Sequence, residues 1–275
     1  MKKLIHTSIL LVFVLSAFQL KAQNMDLQRY WDDVDFSDSA MVASQMMSDK
    51  LVAFFYSFTD GDEQHFDSLS IAGLGVVLDK AKVNMRMYEY ILDFALNGYS
   101  SMGRDKVTDY LLNYPQLAEG EIGVEEGLRL DSITEPYQKV KVGAQAPDVE
   151  GITIDGKKYH LYGSDAERVI LVFWSTDCEY CHDFLVHIRK NLDLKSDFEL
   201  VTFALADSQD EVLQTVKKMR LPGYHFYDAL RWESKPFLDY HVTSTPFVLV
   251  LDAERTIVYK PYDWNELKEW LKKSK

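Results

Sequence analysis

Val169-Ile-Leu-Val-Phe173 is an unbroken apolar run, and shortly beyond it stands Cys178-Glu-Tyr-Cys181, which holds the only two cysteines of the chain. A run of this kind reads as a parallel strand buried on both faces. Phe184, Leu185, Ile188, Leu192 and Leu194 then recur near helical spacing, so Cys181 to Leu194 reads as a helix. The order is strand, short turn, dithiol, helix. Two cysteines three positions apart on the first turn of a helix can close a small disulfide, and the positive end of the helix stabilises the thiolate of the outer sulfur. Cys178 is therefore expected to attack and Cys181 to resolve.

Phe173-Trp174 followed by Cys178-x-x-Cys181 resembles the active-site signature of thioredoxins. Thr245-Pro246, ahead of the apolar run Phe247 to Leu251, is similar to that fold's cis-proline strand. The resemblance runs from about Val142 to the carboxyl end. Within thioredoxins it is most similar to the extracytoplasmic thiol:disulfide oxidoreductases of the ResA and TlpA type. The supporting features are Gly143-Ala-Gln-Ala-Pro147 at the entrance, a hairpin over Gly151 to Leu161 turning at Asp155-Gly156, Glu179 between the cysteines, and a long segment before Pro246. The resemblance implies an α/β thioredoxin-like fold over 140–275, a central mixed sheet flanked by helices. It also implies a redox-active Cys178–Cys181 disulfide as the only redox group. Pro246 would be cis, so that the Thr245 backbone is open to an extended substrate, and Phe173 and Trp174 would wall the site. The alternative for Pro246 is an ordinary residue opening an edge strand.

The match has departures that bear on mechanism. Where cytoplasmic thioredoxins carry a buried aspartate two residues before the tryptophan, this chain has Val172. Deprotonation of Cys181 then falls to Glu179, to Asp207 at the end of the strand Phe198 to Leu205, or to water. The competing reading of Asp207 is a solvated residue ahead of the helix Asp210 to Met219. Asp177 stands where a tryptophan usually precedes the first cysteine. Asp177 and Glu179 flank Cys178 with negative charge, which destabilises its thiolate and favours a reducing dithiol.

Cys178-Glu-Tyr-Cys181-His182 also fits the c-type haem attachment motif. A haem site does not call for the preceding strand or the later Thr-Pro strand, so this is the rival reading. In the thioredoxin reading His182 is a surface side chain or a cation near the thiolate at low pH. Zinc is weaker still, because one C-x-x-C-H supplies three ligands at best and no second cluster follows; no metal is expected.

The net charge of −13 becomes −16 without a leader that holds Lys2, Lys3 and Lys21 and no acidic residue, which argues against nucleic acid as a partner. That leader, 1–22, reads as a signal peptide with an apolar stretch from Ile9 to Phe18 and cleavage after Ala22. It is short for a membrane span, although an uncleaved anchor is the alternative. Export to a periplasmic compartment places a lone dithiol among oxidants, so a membrane thiol donor is expected to return electrons to it.

Between leader and dithiol, 26–135 reads as a helical module: Ser39 to Phe58, Glu63 to Ala81, Met85 to Leu96 and Arg104 to Leu112, with breaks at Asp60-Gly61-Asp62 and Asn97-Gly98. Met46, Met47, Met85, Met87 and Met102 read as core filler rather than soft-metal ligands. Tyr30, Trp31, Phe36, Phe54, Phe55 and Phe58 read as packing. Pro136 to Ala146 looks like the connection between the halves. At the carboxyl end, Phe247 to Leu251 and Thr256 to Tyr259 read as an antiparallel pair. Asp263-Trp-Asn-Glu266 reads as a capping box before a helix with Leu267, Trp270 and Leu271 on one face.

The expected activity is dithiol exchange with exported cysteine-containing proteins, running as a reductase. Apocytochrome reduction is what the ResA resemblance adds. An oxidase or isomerase is the alternative within the same chemistry. A haem electron carrier and a non-catalytic binding module are the alternatives of other classes.

Overall fold

The structure is a computed structural model and describes residues 26–58, 63–114, 123–191 and 198–274. The leader with its cleavage point after Ala22, the Asp60-Gly61-Asp62 break, and Leu192 and Leu194 lie outside the described residues. The chain divides into two compact units, one reaching to Ala95 and taking in Ile122–Glu126, the other formed by Leu96–Glu121 and Gly127–Lys275. That division falls within the helix Met85–Ser101.

In the first unit, α1 (Gln45–Tyr56), α2 (Glu63–Ala81) and the first part of α3 (Met85–Ser101) are preceded by short 3-10 turns at Arg29–Trp31 and Ser39–Met41. The expected helix Ser39 to Phe58 is therefore broken. Ala43 takes a positive φ of 55°, and Ser44 is an extended N-cap whose side chain accepts from Met47 N, so α1 starts afresh after it. The aromatic group is core: Trp31, Phe36, Phe54, Phe55 and Phe58 are all buried, and Trp31 and Phe54 meet with ring centres 4.9 Å apart. Gly73 lets α2 approach them, since a Cβ there would stand 2.7 Å from Phe58 Cζ. Asn97-Gly98 does not end α3. A side chain at Gly98 would meet open space, and Tyr88, Ile91, Leu92, Ala95 and Tyr99 form one buried stripe that carries the helix through.

The second unit continues with α4 (Asp105–Leu112) and, from Gly127 onward, α5 (Val124–Gln138). The helix α5 contains Pro136 in its last turn, where the connection was expected. A two-stranded antiparallel hairpin follows, β1 (Glu150–Ile152) with β2 (Lys158–His160), and Gly156 at φ 85° makes its turn. The main sheet has the order β5-β4-β3-β6-β7. Its strands are β3 (Val169–Ser175), β4 (Glu199–Leu205), β5 (Tyr224–Tyr227), β6 (Phe247–Leu251) and β7 (Ile257–Tyr259). Strands β3, β4 and β5 are parallel, whereas β6 runs antiparallel to β3 and β7 antiparallel to β6. This is the expected mixed sheet; β5 and α8 (Lys235–Asp239) fill the long segment before Pro246.

Alternation along β3 sorts its side chains into two cores. Val169, Leu171 and Phe173 join one with Phe203, Phe226, Phe237 and Tyr240. Ile170, Val172 and Trp174 join the other with residues of α6 (Glu179–Asn191), α7 (Gln209–Met219) and α9 (Trp264–Lys273). At the foot of β5, Gly223 has φ 114°, and a Cβ there would stand 2.1 Å from the Leu200 carbonyl oxygen. The helix α9 opens as expected, with Asp263 accepting from Glu266 N, although Glu266 reaches back to Tyr262 N rather than to its cap.

Two buried polar groups pin the sheet. Arg255, 2% exposed, donates to the carbonyls of Leu161, Ser164, Ala166 and Asp252. His225 sits opposite Thr202 across β4 and β5. Its Nε2 donates to the Leu221 carbonyl at 3.3 Å, which leaves Nδ1 to accept from the Thr202 hydroxyl at 2.9 Å. Burial lowers its pKa from 6.5 to about 4.

Arg255→Met should lower the unfolding free energy by about 3 kcal/mol or more, since each buried carbonyl left without a donor costs ~1–3 kcal/mol. Urea unfolding followed by circular dichroism measures it, and a loss under about 1 kcal/mol would contradict the clamp. For His225 the unfolded chain binds a proton between pH 6.5 and 4 that the folded chain does not. The stability it carries is complete above pH 6.5 and falls toward pH 4 by on the order of 3 kcal/mol. His225→Gln should flatten that part of the stability profile.

Candidate active site

The turn after β3 is built from backbone bonds. Thr176 N donates to the Leu205 carbonyl at 3.0 Å, carrying the chain toward the end of β4, and Cys178 N donates to Ser175 O at 3.2 Å. Cys178 then stands at the cap position of α6. Its carbonyl accepts the first helical bond from His182 N at 3.1 Å, and its Sγ accepts from Cys181 N, also at 3.1 Å. A sulfur held there takes the place of the usual capping oxygen, at the positive end of a helix and on an otherwise unsatisfied N–H.

The two cysteines are joined in a disulfide with Cα atoms 5.2 Å apart. Cys178 is half-buried, whereas Cys181 is fully buried in the same layer as Trp174 and Val172. Thr245 and Pro246 are joined by a cis peptide bond, and Cys178 Sγ lies 3.9 Å from the Thr245 carbonyl oxygen. The register Phe173 opposite Phe247 brings these together, because the ends of β3 and β6 carry the dithiol and the Thr245-Pro246 step on adjacent strands.

Other expected site residues are placed differently. Phe173 and Trp174 are both 0% exposed, so neither offers surface to a substrate. Phe173 faces the layer opposite Cys181 and packs on Phe203 and Phe237, while Trp174 backs Cys181. A strand buried on both faces cannot lend either side to solvent. Asp177 and Glu179 are exposed beside Cys178. Asp207 is also exposed, and its carboxylate is held by Arg231. The ring of His182 packs edge-on against Trp174, and both Trp174 Nε1 and His182 Nε2 are buried without a partner among the described residues.

Residues that the motif alone did not flag complete the surroundings. Tyr180, between the cysteines, and Tyr262, ahead of α9, are both about half exposed. Burial raises the Tyr180 pKa first, and the charge of Asp263 adds to it. Lys260 Nζ lies 3.2 Å from Asp105 Oδ1 and 5.8 Å from the centre of the Phe247 ring. Burial outweighs the attraction of Lys260 and holds the Asp105 carboxyl above its usual range.

Residues 142–260 match the family model described as the AhpC/TSA family. The thioredoxin-like part of the chain is thus similar to that family over a little under half of the whole sequence. No curated protein sequence matches the chain. A crystal structure of a thioredoxin-like protein from Bacteroides caccae is 17% identical, with a TM-score of 0.60 over 90% of this chain and 91% of that one. Its fold is thus shared by the helical part as well as by the thioredoxin-like domain. A thiol-disulfide oxidoreductase from Bacteroides fragilis is 18% identical over 48% of this chain and 99% of its own, with a TM-score of 0.43. The thioredoxin domain of a thiol-disulfide oxidoreductase from Bacteroides vulgatus is 18% identical over 48% and 96%, with a TM-score of 0.44.

In the reduced thioredoxin-like domain the exposure difference predicts that iodoacetamide modifies Cys178 at least ~100-fold faster than Cys181 at the same pH. Peptide mass mapping over time measures the ratio, and comparable rates would contradict the assignment of Cys178 as the outer, attacking sulfur.

Proposed function

We propose that the protein is a thiol:disulfide oxidoreductase that reduces disulfides in exported cysteine-containing proteins. One observation carries the reading: the Cys178 sulfur sits at a helix start, on the Cys181 N–H, with the Thr245 backbone beside it. The Cys178 thiolate attacks one sulfur of a substrate disulfide. That bond breaks, the leaving sulfur takes a proton, and a mixed disulfide remains. The Cys181 thiolate then attacks Cys178 and releases the second substrate thiol. The substrate has gained two electrons, and the protein holds the Cys178–Cys181 disulfide. A dithiol donor at the membrane reverses that oxidation. The leader at 1–22 supports an exported location, and among the described residues no helix is long and apolar enough to cross a membrane.

The direction of the cycle rests on electrostatics. Asp177 and Glu179 raise the free energy of the Cys178 thiolate, which disfavours the dithiol form relative to the disulfide and makes the pair more reducing. Val172 leaves no carboxylate two residues before Trp174, so the proton of Cys181 passes to water or to Glu179. The purified mature protein, equilibrated against graded dithiothreitol or glutathione and trapped for mass measurement, should show a potential near or below about −270 mV. A value near −120 mV would make it an oxidant. A haem-shifted mass with a visible band would replace the reading altogether.

Cys178→Ser should remove insulin reduction to the level of the uncatalysed control. Cys181→Ser should leave the first attack and accumulate a mixed disulfide through Cys178, visible on a non-reducing gel; trapping through neither cysteine would sink the assigned order.

A further inference from the structure

Three contacts inside the second unit bring the corner between α3 and α4 to the rim of the dithiol site. Ser101 Oγ lies 3.4 Å from Thr243 Oγ1, two residues before the Thr245 carbonyl that faces Cys178 Sγ. Gly103, at φ 65°, packs so closely on Tyr262 that a Cβ there would stand 2.8 Å from Tyr262 Cβ. Asp105 is paired with Lys260, whose side chain is 6% exposed and extends over Phe247, the residue after Pro246. Between the first two contacts stands Met102, 39% exposed. One arm from it leads through Thr243 to Thr245. The other leads through Tyr262 to Tyr180, which lies within electrostatic reach of Tyr262 and sits between the two cysteines.

The disulfide fixes where a substrate must lie. A substrate cysteine bonded to Cys178 Sγ has its backbone alongside Thr245, and an extended chain advances about 3.3 Å per residue. A segment that continues along the chain toward Thr243 brings the residues two or three positions from that cysteine to the Ser101–Gly103 corner. What they meet there is the partly exposed Met102, beside Gly103 and the exposed Tyr262 that packs on it. Methionine adapts to varied apolar partners, and tyrosine gives wide contact at little conformational cost. Three contacts hold the corner, and 39% of the Met102 surface stays open to solvent among them.

We propose that Met102 is a substrate-contacting specificity residue, which binds apolar side chains flanking the cysteine of an extended protein segment. The proposal rests on the oxidoreductase reading and adds the class of substrate: unfolded or flexible cysteine-bearing segments with apolar neighbours, rather than small disulfides.

The test compares kcat/KM for insulin and for hydroxyethyl disulfide, using the full mature chain and dithiothreitol as the electron donor. Met102→Asp should lower the insulin-to-hydroxyethyl-disulfide ratio at least fivefold through KM for insulin, while Met102→Leu restores the ratio to within twofold. Leu238→Asp, a like change at an exposed leucine of α8, should leave the ratio unchanged. Circular dichroism establishes that each variant is folded. An unchanged ratio in Met102→Asp, an equal fall on both disulfides, or misfolding of both Met102 variants would overturn the assignment. Failure of the unsubstituted protein to turn over either disulfide would instead overturn the oxidoreductase reading beneath it.

Discussion

Every side chain of β3 from Val169 to Trp174 is excluded from solvent, and the rest of the second unit is arranged around that fact. A strand buried on both faces needs a layer on each, so the helices and hairpin that flank it are obligatory. Odd-numbered side chains supply one core and even-numbered ones the other, and a slip of one residue would exchange them. The strand also has to end somewhere that its backbone can be satisfied. Thr176 does this by bonding Leu205, and the chain then turns into α6 with Cys178 at its start. The reactive sulfur thus stands just beyond a strand buried on both faces.

At that sulfur two influences of opposite sign meet. The helix start and the Cys181 N–H favour the thiolate, and a hydrogen bond to a charged group is worth about 1.5–3 kcal/mol. Asp177 and Glu179 oppose it, but both lie in water, where two charges 4 Å apart interact by only about 1 kcal/mol. The local donor therefore dominates, and the thiolate is still the attacking species. The helix start is common to any dithiol held this way. What individualises this one is the smaller contribution of the flanking carboxylates together with the apolar backing of Val172 and Trp174.

The hairpin, the capped last helix and the pairing of Cys178 with Cys181 were legible in short stretches of turn residues or fixed spacing, and the mixed sheet through the resemblance to thioredoxins. Burial direction was not. Phe173 and Trp174 stand next to the dithiol in the chain, and only the two-sided layering of β3 shows that they face inward. The break expected at Asn97-Gly98 failed for a related reason: glycine costs a helix about 1 kcal/mol, and the buried stripe from Tyr88 to Tyr99 outweighs that. Helix α5 has too weak an apolar pattern to announce itself. The meeting of Ser101, Gly103 and Asp105 with Thr243, Tyr262 and Lys260 joins positions more than a hundred residues apart, and no local pattern encodes it.

The Arg255 clamp lies far along the chain from the sulfurs, yet it bears on how the site moves. It gathers carbonyls from the segment that enters β3 and from the turn that joins β6 to β7. Strand β3 leads to Cys178 and β6 starts from the Thr245-Pro246 step, so the two walls of the site hang on strands fastened together at their other ends. Opening one strand without the other would strand a buried guanidinium. The dithiol and its facing loop consequently belong to one cooperative opening unit, and their amides should exchange with solvent at a common free energy rather than fraying separately.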